Sequence, residues 1–251
     1  MKQFKIRASQ ASKLMGRIGL TDIQEAKLIE LTDRNNGIGK PLTDKMKIEL
    51  SGLEKIKSNP ELPETAISYL KEWYSESRTG VNKEINNKQI NKGNYCENEA
   101  ISVIAERLDF GFLKKNTKFF EDNFFCGTPD ILKENTVIDA KCSWDYVTFL
   151  DSVTSDINYS YWCQLQVYMH LTGKKNASLC YVLLNTPSEV NYGNEVIWSH
   201  IPINERFYSI HFEYDSSFIT ELEKRVIMAR KWLTEYDQLV KSKLGINESN
   251  S

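Results

Sequence analysis

Two short runs of this 251-residue chain carry side chains able to do chemistry together: Gly127-Thr128-Pro129-Asp130 and Val137-Ile138-Asp139-Ala140-Lys141. Residues two apart in a strand share a face, so Asp139 and Lys141 stand side by side with Val137, while Ile138 and Ala140 point the other way. A turn at Lys133-Glu134-Asn135 folds the strand back and brings Asp130, on its neighbour, towards Asp139. Two carboxylates held together repel, and a divalent cation removes that cost. Hard oxygen ligands suit Mg2+, with Mn2+ as a substitute. A lysine beside them orients or helps to deprotonate a bound water and stabilises charge on a phosphate. That is the equipment of metal-assisted phosphodiester hydrolysis. Asp-x-Lys alone is common, and a plain surface hairpin is the simpler reading. The apolar strand around the tripeptide and the Pro-Asp pair before it weigh against that reading.

Glu97 falls on the apolar stripe of a helix over 94–108, whose buried face is Ala100, Ile101, Ile104 and Leu108. It is either a first-turn carboxylate favoured by the helix dipole or a third carboxylate aimed at the same site. Gln164 and Tyr168 lie four apart on a helix from Tyr159 to Thr172, closed by Gly173, alongside Tyr161 and Leu171. Gln164 either satisfies a buried backbone group or positions a water or phosphate oxygen. Gln166 falls on another face with Trp162 and Met169.

The elements that must hold these residues form an α/β pattern. Residues 21–92 are polar and helix-rich, with a helix beginning at Pro63, carrying Ala66, Ile67, Leu70 and Tyr74 on one face and ending at Arg78-Thr79-Gly80. Lys83–Lys92 is either a solvated face or a basic strip. Strands are expected within 118–126, at Ile131-Leu132 and over Thr136–Cys142, then over Ser178–Leu184, Glu195–Ile203 and Phe207–Phe212. Residues 151–158 read as a loop. Asp215 or Ser216 caps a final helix reaching about Leu244, followed by a frayed tail, and Ser9 or Ser12 caps an early one. The expected architecture is a central mixed β-sheet flanked by helices: residues 1–92 form a helix-rich part of the same domain, and 93–251 hold the core with its C-terminal helix.

Bulk properties constrain the setting. Composition (41% hydrophobic, 26% charged) is that of a globular chain. No run approaches ~18 apolar residues and the start lacks a secretory pattern, so the expectation is a cytoplasmic protein without membrane contact. The five cysteines are odd in number and widely spaced, with no zinc-ligand pattern among them and the three histidines, which points to free thiols. A net charge of −2 neither demands nor excludes nucleic acid, because an acidic metal site offsets a basic surface in the count.

Taken in order, Gly93-x-x-x-Glu97-x-x-Ala100, Gly127-x-Pro129-Asp130, Asp139-x-Lys141 and Gln164-Leu165-Gln166-x-Tyr168 resemble the PD-(D/E)xK nuclease superfamily. Within it, the pattern is most similar to the phage lambda exonuclease and YqaJ-type viral recombinase family. RecB-type nuclease domains share the late Gln-x-x-x-Tyr. The resemblance spans roughly 93–184. It implies a restriction-endonuclease-like fold with a helical N-terminal elaboration. It also implies that Glu97, Asp130, Asp139 and the Ala140 carbonyl hold Mg2+, that Lys141 acts on the attacking water, and that Gln164 or Gln166 supports the site. Many relatives carry Glu where this chain has Asp139. The lead-in Ile6-Arg7-Ala8-Ser9 is similar to an Ala-Ser element that helps to hold a 5′ phosphate, so Arg7, Ser9 and Tyr168 are expected to bind DNA; a plain helix cap explains Ser9 equally well. The implied activity is 5′→3′ exonucleolytic hydrolysis of double-stranded DNA ends in phage-type recombination or repair, in a bacterial or phage-infected cell. A homo-oligomer and a single-strand annealing protein are the implied partners beside DNA. The competing readings are a structure-selective or site-specific endonuclease, a non-catalytic DNA-binding or assembly protein, and coincidence of motifs in an unrelated α/β protein.

Overall fold

The expected hairpin is the kernel of the fold. In the computed structural model, which describes residues 2–58, 62–81 and 87–246, strands β4 (Ile131–Lys133) and β5 (Thr136–Cys142) pair antiparallel, with Ile131 opposite Ile138. Glu134 turns the corner at φ 46°. The chain forms two compact units: Met1–Phe4, Lys13–Val81 and Leu222–Ser251 in one, Lys5–Ser12 and Asn82–Glu221 in the other.

The second unit holds the sheets. β5 continues in parallel with β6 (Asn176–Val182), and β6 pairs antiparallel with β7 (Phe207–Glu213), giving a mixed four-stranded sheet ordered β4-β5-β6-β7. A smaller sheet is built from β1 (Ile6–Arg7), β2 (Phe120–Glu121) and β3 (Phe125–Gly127), with β3 central. β6 is buried on both faces from Ala177 to Val182 because both are covered, whereas β5 is apolar only on its Ile138 and Ala140 face. Helix α5 (Lys88–Arg107) lays Cys96, Ala100, Ile101 and Ile104 on Ile131, Ile138, Cys180 and Val182. Helix α7 (Tyr159–Thr172) also packs on β5 and β6, with Cys163 to Met169 buried. Here the mixed sheet with flanking helices is as expected.

Four details differ from the sequence reading. Helix α5 starts at Lys88, where Asn87 accepts a capping bond from the Ile90 amide at 2.8 Å, so Glu97 lies well inside the helix and the first-turn reading falls away. Residues 151–154 are not loop but the end of α6 (Tyr146–Thr154). Asp145 and Thr148 form a capping box at its start, and the Ser152 and Thr154 hydroxyls bond back to the carbonyls four residues earlier, so a run of poor helix formers stays helical. Glu195–Ile203 is not a strand. Only Val196 bridges Thr186, and the Asn185 side chain then accepts the Trp198 and Ser199 amides and bends the chain away. Near the start, Ala8–Gln10 is a single 3-10 turn whose cap position is Arg7, without a side-chain capping bond; the Ser12 hydroxyl instead meets that of Ser160 at 3.0 Å.

The other unit is helical. α2 (Asp22–Asn35) and α3 (Asp44–Ser58) close on Leu28, Leu31, Leu50 and Leu53. α4 (Glu64–Thr79) runs from Pro63 to a left-handed Gly80 with the expected buried face. The last helix, α8 (Ser216–Leu244), starts where the Asp215 carboxylate accepts the Ser217 and Phe218 amides. From Leu222 onward it buries Leu222, Val226, Ala229 and Leu233. The frayed tail beyond residue 246 and the Lys83–Asn86 part of the basic strip lie outside the described residues. Among the described residues, no helix is long and apolar enough to cross a membrane.

Candidate active site

Strand alternation places Asp139 and Lys141 on the α7 face of β5, opposite the Ile138 and Ala140 face that meets α5. Asp139 is 1% exposed. Its Oδ1 accepts from Gln164 Nε2 at 3.3 Å. Its Oδ2 lies 2.7 Å from Lys141 Nζ, yet off the hydrogen-bonding direction, so this buried oxygen has an ionic neighbour and no well-directed donor. Lys141 also lies 3.5 Å from Gln164 Oε1 and 4.5 Å from the centre of the Tyr161 ring. Burial works to lower the Lys141 pKa, but the Asp139 charge beside it, with Asp130 and Tyr161 behind, carries it above the ordinary lysine range. The side chain therefore stays an ammonium at neutral pH.

Asp130 comes in from the end of β4. Its Oδ2 accepts the Ala140 amide at 3.0 Å, which pins the carboxylate across the hairpin. Burial first, then the charges of Asp139 and Glu97, push Asp130 up to about 7, against the opposing pull of the Ala140 amide and Lys141. Glu97 is thus within electrostatic reach of Asp130. Its own carboxylate is ion-paired with Lys115, which no sequence pattern pointed to. Among the described residues, no three His, Cys, Asp or Glu side chains stand together as a ready-made metal cluster. The donor set still suits a hard cation: a buried Asp139 carboxylate whose Oδ2 accepts no well-directed hydrogen bond, a neighbouring carboxylate whose ionisation is resisted by like charge, and Glu97 nearby.

On α7 the two glutamines part company. Gln164 Nε2 bonds the Asp139 carboxylate and the Tyr168 hydroxyl (3.1 Å). Gln166 is spent elsewhere: Nε2 donates to the Glu213 carbonyl and Oε1 accepts the Asp215 amide, fixing the step from β7 into α8. Helical rotation turns Gln166 away from the strand face that Gln164 meets, and its amide is engaged at the β7–α8 step. Tyr168 is buried, not outward-facing, and burial lifts its hydroxyl pKa to about 12. It supports Gln164 from behind. Its ring passes so close to β3 that a Cβ on Gly127 would meet Tyr168 Cε1 at 2.8 Å and the Ala8 methyl at 3.2 Å. This close approach explains the glycine of Gly-x-Pro-Asp. It also sets the 3-10 turn that carries Ser9 against α7. Arg7 and Ser9 are exposed.

Two further roles, those of Tyr181 and Lys92, escaped the sequence reading. Tyr181 is the register partner of Lys141 on β6, and its ring lies 6.4 Å from that of Tyr161. The two tyrosines line a polar pocket of about 380 Å³ with Lys141, Trp144 and Asn158. Lys92 is wholly buried and donates to the Trp144 carbonyl at 2.8 Å, fixing the loop after β5; this is neither a solvated face nor a phosphate-facing strip. Only its place on the buried side of α5, one turn before Cys96, hinted at this.

No family model and no curated protein matches the sequence. Solved structures do. A phage-related exonuclease from Haemophilus somnus 129PT superposes with a TM-score of 0.72 at 25% identity, covering 96% of this chain and 97% of that one. LHK-Exo, an alkaline exonuclease from Laribacter hongkongensis, superposes with a TM-score of 0.58 at 16% identity, covering 96% and 93%, and its complex with dAMP with 0.60. Over 96% of its length, this chain therefore has the fold of a phage-related exonuclease.

Proposed function

We propose that this chain is a PD-(D/E)xK deoxyribonuclease of the phage lambda exonuclease and YqaJ type. It hydrolyses duplex DNA from 5′ ends with Mg2+, or Mn2+ in its place, in phage-type recombination or repair. The observation that carries this reading is the buried Asp139–Lys141–Gln164 cluster with Asp130 pinned beside it. Pure DNA binding gives no reason to bury that arrangement. Similarity to the Haemophilus somnus exonuclease supports the choice of substrate and of exonucleolytic action.

Asp130, Asp139, the Ala140 carbonyl and Glu97 would hold the cation, which supplies activation of water and charge stabilisation at the phosphate. Lys141, ion-paired with Asp139, would orient the attacking water or help to deprotonate it, and faces the charge developing on the phosphate. Gln164 locks the Asp139 and Lys141 head groups in place. Tyr168 holds Gln164, and Gly127 makes room for Tyr168. Arg7 and Ser9, next to that contact, would bind the DNA 5′ end. DNA is the partner; a homo-oligomer and a single-strand annealing protein belong to the same reading, as does a cytoplasmic setting.

Replacing Asp139 or Lys141 by alanine is expected to lower the rate of Mg2+-dependent DNA hydrolysis on the order of a hundredfold or more. A wild-type rate in either variant, measured on linear duplex, would remove this site from the mechanism.

A further inference from the structure

Between α5 and β2 the chain runs as Phe110-Gly-Phe-Leu-Lys-Lys-Asn-Thr-Lys-Phe-Phe120, with no acidic residue from Phe110 to Phe120. It is fixed at two points. Leu113 is buried in the core under α5. Asn116 donates its amide to the Asp130 carbonyl at 2.7 Å and its side chain to the Pro129 carbonyl at 2.9 Å, and Lys115 bridges Ile131. Phe110 packs against the same core and Phe120 is half-buried, but most side chains between and beyond these anchors are exposed. Phe112 is 89% and Phe119 56% exposed, and Lys114, Lys115 and Lys118 are exposed.

The arrangement is costly for a free surface. Two large rings face water where a core position would have used them. Lys114 and Lys118 form no ion pair among the described residues, although Lys118 lies 4.7 Å from the Phe120 ring centre. The acidic residue at the far end, Glu121, is already paired with Lys5. Lys115 is tied to Glu97, so the strip begins at the candidate site itself. The Asn116 backbone amide bonded to Asp130 and its side-chain amide bonded to Pro129 hold the strip beside that site.

We infer that Phe112, Lys114, Lys118 and Phe119 form a DNA-binding strip that leads the substrate strand to Asp130. The lysines take successive phosphates, and the phenylalanines cover base or deoxyribose faces near the strand end. This rests on the deoxyribonuclease reading above, and it adds residues which that reading does not use.

The test is binding of end-labelled linear duplex DNA by fluorescence anisotropy, with chelator present to prevent hydrolysis, over a series of salt concentrations. The Lys114→Ala/Lys118→Ala variant is expected to bind about tenfold more weakly at 0.1 M salt, with the slope of log K against log salt reduced by about 2. The Phe112→Ala/Phe119→Ala variant is expected to lose about fivefold or more in affinity with the slope unchanged. Unchanged thermal midpoints verify folding in both. Wild-type affinity and slope in the lysine variant overturn the strip. So does a phenylalanine variant that changes oligomeric state in sedimentation but not DNA affinity, which would give the rings to a second copy of the chain. If the strip alone is wrong, the wild-type protein still cleaves DNA with Mg2+; if the nuclease reading is wrong, it does not, whether or not it binds.

Discussion

At the scale of residues, charge compensation organises the candidate site. Lys141 is surrounded by an ionic partner, an amide and an aromatic face, at 2.7, 3.5 and 4.5 Å. The Tyr161 face is the replaceable one. Tyr161→Phe keeps the ring and should leave kcat within about twofold, while Tyr161→Leu should lower kcat by roughly 3- to 30-fold, the range of a partly desolvated cation–π contact. Steady-state rates on linear duplex separate these outcomes; equal rates for Leu and Phe would show that the ring does not hold the ammonium. Asp130 carries a pH signature. Its folded pKa of about 7 stands above the unfolded value near 4, so the folded state binds the proton more tightly. Wild-type stability from this group is full below about 4 and is lost as pH rises through about 7. In chelator at pH 8, Asp130→Asn should therefore melt at a higher temperature than wild type, with the difference vanishing towards pH 4. A variant that melts lower at pH 8 would mean that the carboxylate is not held against its charge. The same proton competes with a cation, so the Mg2+ concentration for half-maximal rate should rise as pH falls below about 7.

At the scale of elements, what the sequence made legible was periodic and local. Alternation along β5 gave the shared face of Asp139 and Lys141, and the Lys133–Asn135 turn gave the approach of Asp130. The four-residue step on α7 gave Gln164 with Tyr168. The rest depended on long-range geometry. Lys115 reaches Glu97 only because Leu113 and Asn116 fix the path of an irregular segment. Gln166 looks as suitable as Gln164 until the helix is oriented by its contacts. α6 and the segment from Glu195 to Ile203 were misread because side-chain hydrogen bonds from Ser152, Thr154 and Asn185 overrode composition. Gly127 joins the two levels. A methyl group there overlaps Tyr168, so Gly127→Ala should destabilise the protein by about 1–3 kcal/mol and lower activity. Chemical denaturation measures the first effect. An unchanged midpoint would mean that β3 and α7 have slack at their contact.

At the scale of the whole molecule, the fold extends over nearly the full length of a phage-related exonuclease structure, while the sequence matches no family model. Core positions tolerate wide exchange so long as volume and pattern are kept, and the fold therefore outlasts the identity of its residues. Chemistry is stricter, and the proposed function requires that a cation-dependent centre at Asp130, Asp139 and Lys141 remove nucleotides from DNA ends. The most direct measurement compares release of acid-soluble nucleotide from 5′-phosphorylated linear duplex and from covalently closed circular DNA, with Mg2+ and with chelator, for wild type and Lys141→Ala. Release from the linear duplex is expected with Mg2+ alone, with the circle intact and a loss on the order of a hundredfold or more in the variant. Cleavage of the closed circle would contradict the exonuclease assignment, and full activity in chelator or in Lys141→Ala would contradict the centre itself.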